Sequence, residues 1–426
     1  MSELVYHRRS HGRQFDSVGD DAGALLSAAL NCDTRRDDPY RFLGQLHGHG
    51  DFLEGSFGNF VWGYEAIDAL LRSRTMYKGG SHGSLAFSAL TPEQMERIRA
   101  ESPVLPGFIN QIDPPEHTRL RNLIAAAYTP RRVEQLRAFA QEFMDRWCDA
   151  ADGGSPVEVV KPLAEALPAE VIGHLIGVPV ADRADFAAWA QTQALDLDPH
   201  AGFDEKLRAA RTRVLIRDYV RKLAAERERD PRDDLLSALL AEYRRHGTLT
   251  EPEFLSVLMI MYLAGFQTTM HMLTNGIVAL CEHPGEYGKL HAEPDLARAA
   301  TDEILRFDAP VMTIGYRAGA DTAIGGRPAR TGEYYTLLLG AANRDPRIFP
   351  DPARFDITRV NPKPSLSFGA GLHYCLGASL ARLEGEVVFS TLARRFAALA
   401  LAEPPLRTEG FRMRGFERIV VSLRQP

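Results

Sequence analysis

A cysteine set among glycines, with a long helical pattern directly behind it, constrains this chain more than any other feature. The run Phe368-Gly369-Ala370-Gly371-Leu372-His373-Tyr374-Cys375-Leu376-Gly377-Ala378 is too rich in glycine to be regular structure. Glycines at 369 and 371 permit backbone conformations closed to other residues, so that amide groups can turn toward the sulfur. A helix predicted over Ala378–Phe396 starts just after the cysteine, and its N-terminal dipole favours thiolate over thiol. With Phe368 packed over the loop to exclude water, such a thiolate is a candidate axial metal ligand tuned by hydrogen bonds to sulfur. The other cysteines, Cys32, Cys148 and Cys281, stand far apart with no CxxC or Cys/His ladder, so neither a zinc site nor a disulfide framework is expected.

The remaining pattern is mainly α with a minor β region. Helical periodicity predicts helices over Thr118–Ala127, Arg131–Ala151, Leu163–Ile176, Ala181–Thr192, Glu205–Arg229, Asp234–Arg245, Glu251–His283 and Leu296–Arg306. Asp233 or Asp234 can cap one start, and Thr250 with Glu253 has capping-box spacing. After Phe307 the chain reads as short strands (Ile314–Ala318, Thr322–Ile324, Tyr334–Leu339), then a loop-rich stretch to Pro364. No repeat or long linker divides it, so one domain over residues 1–426 is expected, with 1–45 its least defined part.

Composition excludes several functions. A net charge of −6 and a pI near 6.1 argue against nucleic acid as the main partner. The N-terminus has no apolar core of a signal peptide, and the apolar run Val257–Phe266 falls short of the roughly 20 residues a membrane span needs. A cytoplasmic protein without a membrane anchor is expected.

The cysteine run fits F-G-x-G-x-H-x-C-x-G at every defined position, and so resembles the heme-binding signature of the cytochrome P-450 family. The resemblance implies a fold with heme b between a long central helix and the cysteine-loop helix. It implies iron bound by Cys375, a propionate contacted by His373, and a loop shaped by Phe368, Gly369 and Gly371. Glu303-Ile304-Leu305-Arg306 resembles the family's ExxR motif, with Arg354, in Pro352-Ala353-Arg354-Phe355, as the third member of an ion-pair triad locking the cysteine loop. Ala342-Asn343-Arg344-Asp345-Pro346 is similar to the family's pattern as well. In Asp113-Pro114-Pro115-Glu116-His117-Thr118-Arg119-Leu120-Arg121, His117 and Arg121 are one helical turn apart and can face the same propionates. Arg317 matches another family arginine with that role.

Ala264-Gly265-Phe266-Gln267-Thr268-Thr269 resembles the family's oxygen-activation segment. Gly265 is expected to open a groove, and Thr268 to bond back to the Ala264 carbonyl and to a water. Gln267 stands where the family has an acid; it matches a glutamate in reach but cannot take up and release a proton near neutral pH. Both are candidate catalytic residues. By position in the family, substrate contacts fall in Tyr77–Phe108, Gln191–Phe203, Pro310–Ile314 and Phe411–Phe416, with Leu263, Ala264, Val311, Met312 and Phe411 the named candidates. Their largely apolar character suits a medium-sized organic molecule, and the resemblance implies specialised-metabolite tailoring. No flavin or iron–sulfur motif follows residue 377, so neither bound flavin nor nicotinamide is expected on this chain. Electrons are expected from a separate ferredoxin and ferredoxin reductase, acting on a monomer. The competing reading is a heme-binding sensor or partner-recruiting module, or an enzyme of oxidative coupling or nitrogen chemistry. The altered position 267 is its one support.

Overall fold

The computed structural model describes residues 21–32, 38–54, 59–79, 90–102, 108–151, 154–197, 201–246 and 250–425. Its axis is the helix Glu251–Glu282, opened by Thr250: the hydroxyl accepts from the Glu253 amide at 3.4 Å, and the Glu253 carboxylate accepts from the Thr250 amide at 2.8 Å. This helix has the length and apolarity of a membrane span, but 61% of its most apolar window is buried within the protein itself. Helices Ala166–Ile176, Ala297–Phe307 and Ala378–Arg395 pack around it, and Pro130–Ala151 covers the last of these from outside. The predicted helices recur with ends shifted by a few residues. Asp234 caps Leu235–His246 by accepting from the Ser237 amide at 2.8 Å.

The largest departure among them is Leu163–Ile176. Its first turn belongs to a π-helical segment, Val160–Glu165, and the α-helix begins at Ala166. Pro162 lies inside that segment and has no N–H for the i→i−4 ladder, so the turn widens. Helices at Asp21–Asn31, Tyr40–Leu46, Tyr64–Arg72, Pro92–Glu101 and Pro284–Ala292 add to the predicted set.

The β region lies to one side. A five-stranded sheet runs Phe52–Leu53, Asn59–Val61, Tyr334–Leu338, Thr313–Ala318, Met76–Tyr77; the pairing of Asn59–Val61 with Tyr334–Leu338 is parallel and the others antiparallel. The C-terminal strand Val420–Arg424 lies between Val157–Glu158 and Ala398–Leu401. The main apolar core surrounds the long helix, and smaller cores sit against the five-stranded sheet and beneath the N-terminal helices. The fold is thus mainly α with small sheets.

Candidate active site

The cysteine loop is held by its own backbone and by the glycines the sequence places in it. Gly369 and Gly371 have φ of 68° and 64°, the left-handed region that costs a side chain dearly. At Gly371 there is a second reason: a Cβ would lie 2.4 Å from the Leu71 carbonyl oxygen. The loop closes as the Cys375 amide donates to the Phe368 carbonyl at 2.9 Å. Phe368 lies under the Arg382 guanidinium, 4.5 Å from its ring centre.

Cys375 is accessible, yet protein surrounds its sulfur. A side chain both accessible and desolvated lines a cleft rather than the outer surface. Burial pushes the thiol above its usual range, while the amides of Gly377 and Ala378 and the charges of Arg121 and Arg382 pull it down. The helix N-terminus therefore contributes in the expected direction but does not win: in the protein alone, desolvation outweighs it.

One wall of this region is basic. His117 and His373 face each other with ring centres 4.2 Å apart, and Nδ1 of His117 is buried with no hydrogen-bond partner among the described residues. Arg121, one turn after His117, donates to the Tyr374 carbonyl at 2.7 Å, beside the cysteine. Burial, then His117, Lys78 and Arg121, hold His373 down to about 3. Asp113, the one carboxylate found here among the described residues, accepts from the amides of Lys78 and Gly79 at 2.8 and 2.7 Å, and lies 3.9 Å from His373 Nε2. An orphaned imidazole nitrogen and cations that repel one another's protons are what a site for an anionic group looks like before the anion is counted. Arg317 lies on the adjoining strand, where its guanidinium donates to the Gly332 carbonyl at 2.9 Å.

The long helix presents Ala264 as an exposed residue within a largely buried stretch, with Leu263, Gln267 and Thr268 half-buried around it. The Thr268 hydroxyl donates to the Ala264 carbonyl at 2.5 Å. Gly265 does not form the groove expected of it. A Cβ there would meet Ile172 at 3.4 Å, so the glycine faces the neighbouring helix and Ala264 is the open position.

Glu303 and Arg306 form a bidentate pair, both bonds 2.7 Å, with side-chain exposures of 2% and 0%. All five guanidinium N–H groups of Arg306 are used, the other acceptors being the carbonyls of Asn343, Pro352 and Arg354. The expected third member is corrected: the Arg354 side chain is exposed and sits 3.4 Å from Asp356. Arg359 takes that place, its Nε 3.2 Å from Glu303 Oε1. The cause is a turn in which Asp356 accepts from the amide and hydroxyl of Thr358, returning the chain toward Glu303. Arg359→Ala is therefore expected to lower thermal stability and heme content, while Arg354→Ala leaves both near wild type; calorimetry with a heme assay decides it.

A second correction concerns Met312. It is 1% exposed and packed in the N-terminal core, with the Tyr40 hydroxyl 3.3 Å from its sulfur. Alternation along this extended segment sends it to the face opposite Val311 and Thr313. Val311 bridges Met413, and Phe411 is half-buried against the same core. Of the stretch Tyr77–Phe108, residues 80–89 and 103–107 lie outside the described residues, as do 198–200 of Gln191–Phe203. Arg359 was not anticipated, and was identifiable only through the turn-forming Asp356 and Thr358. Lys78 and Arg412 fall within the expected stretches Tyr77–Phe108 and Phe411–Phe416 but were not singled out there.

The family model for cytochrome P450 matches residues 188–414. The chain is 35% identical to the biotin biosynthesis cytochrome P450 of Bacillus subtilis over 86% of this chain and 91% of that one. It is 37% identical to the polyketide biosynthesis cytochrome P450 PksS of the same organism, over 73% and 76%. A crystal structure of P450BioI, in complex with acyl carrier protein ligated to hexadec-9Z-enoic acid, superposes with a TM-score of 0.81 at 33% identity, covering 91% of this chain and 98% of that one. These matches define the class, a heme-thiolate oxidoreductase. The chain belongs to the cytochrome P450 family, and is a monooxygenase of that family.

Proposed function

We propose that this monooxygenase inserts oxygen into a medium-sized, largely apolar small molecule of a biosynthetic pathway, with heme b ligated by Cys375. The observation that carries the reading is the conjunction at one cleft of a desolvated cysteine facing two helix-terminal amides and a basic wall with an orphaned histidine nitrogen. The residues present fit the cofactor. Gly377 and Ala378 would bond the sulfur, and His117, Arg121, His373 and Arg317 would hold the propionates. When bound, the heme supplies dioxygen activation; the balance is substrate, dioxygen, two electrons and two protons giving oxidised substrate and water. Aliphatic hydroxylation is the default outcome. The biosynthetic context is supported by the names of the two relatives.

The chain's own contribution is positioning, exclusion of water and proton handling. Ala264 leaves room beside the helix where a larger side chain would fill it. Thr268 has its proton committed to the Ala264 carbonyl, so its oxygen is free to accept from a water molecule. Gln267 can hold that water but cannot exchange a proton near neutral pH, so proton delivery depends on water chains or on a polar group of the substrate. Electrons come from a separate ferredoxin and ferredoxin reductase, to a monomeric, single-domain, cytoplasmic protein.

The test is NADPH consumption driven by a surrogate ferredoxin and reductase, with product analysis on a generic apolar substrate. A catalyst consumes NADPH with substrate-dependent product, whereas a heme-binding sensor does not. Gln267→Glu should raise coupling of NADPH to product several-fold and change the solvent isotope effect. Identical coupling and isotope effect in the two proteins would remove position 267 from the proton path.

A further inference from the structure

We infer that Gly415 and the Asp308 ion-pair clamp are specificity-determining positioning devices: they seat the C-terminal segment Phe411–Phe416 on the long helix and so fix the cleft wall that this segment forms with Val311. The inference rests on the reading of the cleft as the site of an apolar substrate, and assigns the groups that set its shape from behind.

The wall is made of two extended segments. Val311 bridges Met413, the Met312 amide donates to the Arg412 carbonyl at 2.9 Å, and the Arg414 amide donates to the Pro310 carbonyl at 2.9 Å. The chain then continues as the strand Thr313–Ala318 toward the basic wall, where the Tyr316 ring centre lies 6.2 Å from that of His373.

The opposite side of the cleft is the long helix. His271 and Asn275 follow Gln267 by one and two turns on the same face, and that face is the seat of the segment. A Cβ at Gly415 would lie 1.9 Å from His271 Nδ1, so only glycine lets the backbone rest directly on the imidazole. The Asn275 side-chain amide donates to the carbonyls of Asp308 and Arg414, both at 3.0 Å, and the Phe416 amide donates to the Thr274 hydroxyl at 3.4 Å. His271 is 2% exposed; burial lowers it to about 4 against the pull of Asp308, so an uncharged ring faces the glycine.

Beyond the seat, the segment is clamped. Asp308 ends the helix Ala297–Phe307 and is buried. Its Oδ1 accepts from Arg414 Nε at 2.7 Å, and its Oδ2 lies 3.1 Å from Arg407 Nη2. Arg414 also donates to Asp38 at 3.0 Å. Burial alone would push the Asp308 carboxyl up, but Arg414, Arg407 and Arg344 together hold it below its usual range. One carboxylate thus ties residues 407 and 414 to the helix that carries Glu303 and Arg306.

The wall has little else to hold it. Arg414, Gly415 and Phe416 are buried, whereas Phe411, Arg412 and Met413 are only half-buried. The seam behind them is polar and under-bonded: Nη1 of Arg407 and of Arg414, Oδ1 of Asn275 and Nδ1 of His271 are buried without a partner among the described residues. A close-packed apolar core keeps its shape when one polar bond is lost, but a seam of this kind is held by the few bonds it makes. Moving Gly415 away from His271 therefore separates the two sides of the cleft, one helical turn from Gln267.

The experiment uses holoenzyme and two probes: imidazole, which reaches only the iron, and 4-phenylimidazole, whose phenyl ring extends toward the wall. The change in heme spectrum gives the Kd of each. Gly415→Ala should weaken 4-phenylimidazole about 5-fold or more by withdrawing apolar wall, with imidazole affinity and heme content at wild-type values. His271→Ala in the same chain removes the ring that the new methyl meets, and should restore the ratio of the two affinities to within about 2-fold of wild type. A glycine that acted only through overall stability would move both ligands together. Arg407→Gln loosens the clamp while leaving Arg414 on Asp308, and should shift the ratio in the same direction by about 2-fold or more. It decides the matter if Gly415→Ala does not hold heme. An unchanged ratio in either heme-loaded variant overturns the inference and leaves the apolar-substrate reading standing. Equal weakening of both ligands with no rescue by His271→Ala also overturns it, by assigning Gly415 to general stability. Failure of the wild type to bind either probe would remove the reading of the cleft itself, and the inference with it.

Discussion

Arg306→Ala is expected to give protein that accumulates with little heme, or not at all in soluble form. The guanidinium is fully buried, and its five N–H groups satisfy Glu303 and three carbonyls from the loop-rich stretch before the cysteine. Truncation leaves the Glu303 carboxylate facing only Arg359 and the Asp356 amide, and strands the carbonyls of Asn343 and Pro352, while the Arg354 carbonyl keeps its bond from Arg359. Removing one partner of a buried pair costs roughly 3–5 kcal/mol, a large share of the roughly 5–15 kcal/mol that holds a typical domain together. The loss falls on the cofactor because of what the carbonyls belong to. Asn343, whose carbonyl Arg306 holds, also accepts from the Leu366 amide at 2.7 Å and donates to Ser367 at 2.8 Å, at the start of the cysteine loop. Heme content per folded protein and the thermal midpoint measure the effect. Wild-type values for both in Arg306→Ala and Glu303→Ala would show that the pair does not support the loop.

The parts of this structure legible in sequence are those where local chemistry and tertiary demand coincide. Gly369 and Gly371 could be read because positive φ is a backbone property that only a few residue types supply. The Thr250–Glu253 cap could be read because donor and acceptor lie three residues apart. Arg359 could not be preferred to Arg354, since both are arginines in the same loop and the choice depends on an Asp356 turn that must fold before either side chain has a direction. Met312 was misassigned for a related reason: it lies between cleft-facing positions, and only the alternation of a correctly registered strand separates it from them. The helix Pro284–Ala292 was hidden by Pro284, Gly285 and Gly288, which lower its intrinsic propensity. It persists through packing, with the Tyr287 hydroxyl donating to the carbonyls of Leu392 and Phe396.

Cys375→His is expected to move the absorption of the reduced, carbon monoxide-bound protein from the long-wavelength band that gives the family its name to the shorter wavelength of imidazole ligation. The argument rests on what the loop offers its axial ligand. A thiolate donates electron density to iron through a charged, polarisable sulfur, and the amides of Gly377 and Ala378 are placed to hydrogen-bond that sulfur and spread its charge. Imidazole is neutral, donates less, and leaves both amides without their acceptor. NADPH-driven product formation should be lost even where the variant retains heme through His117, Arg121 and His373. Cys281→Ser is the matched control. That thiol is pushed up to about 12 by burial in the main core, away from the glycine loop, so its replacement should leave the spectrum unchanged. A long-wavelength band that survives in Cys375→His would show that the sulfur bound to iron is not Cys375. The cleft would then have to be rebuilt around another ligand.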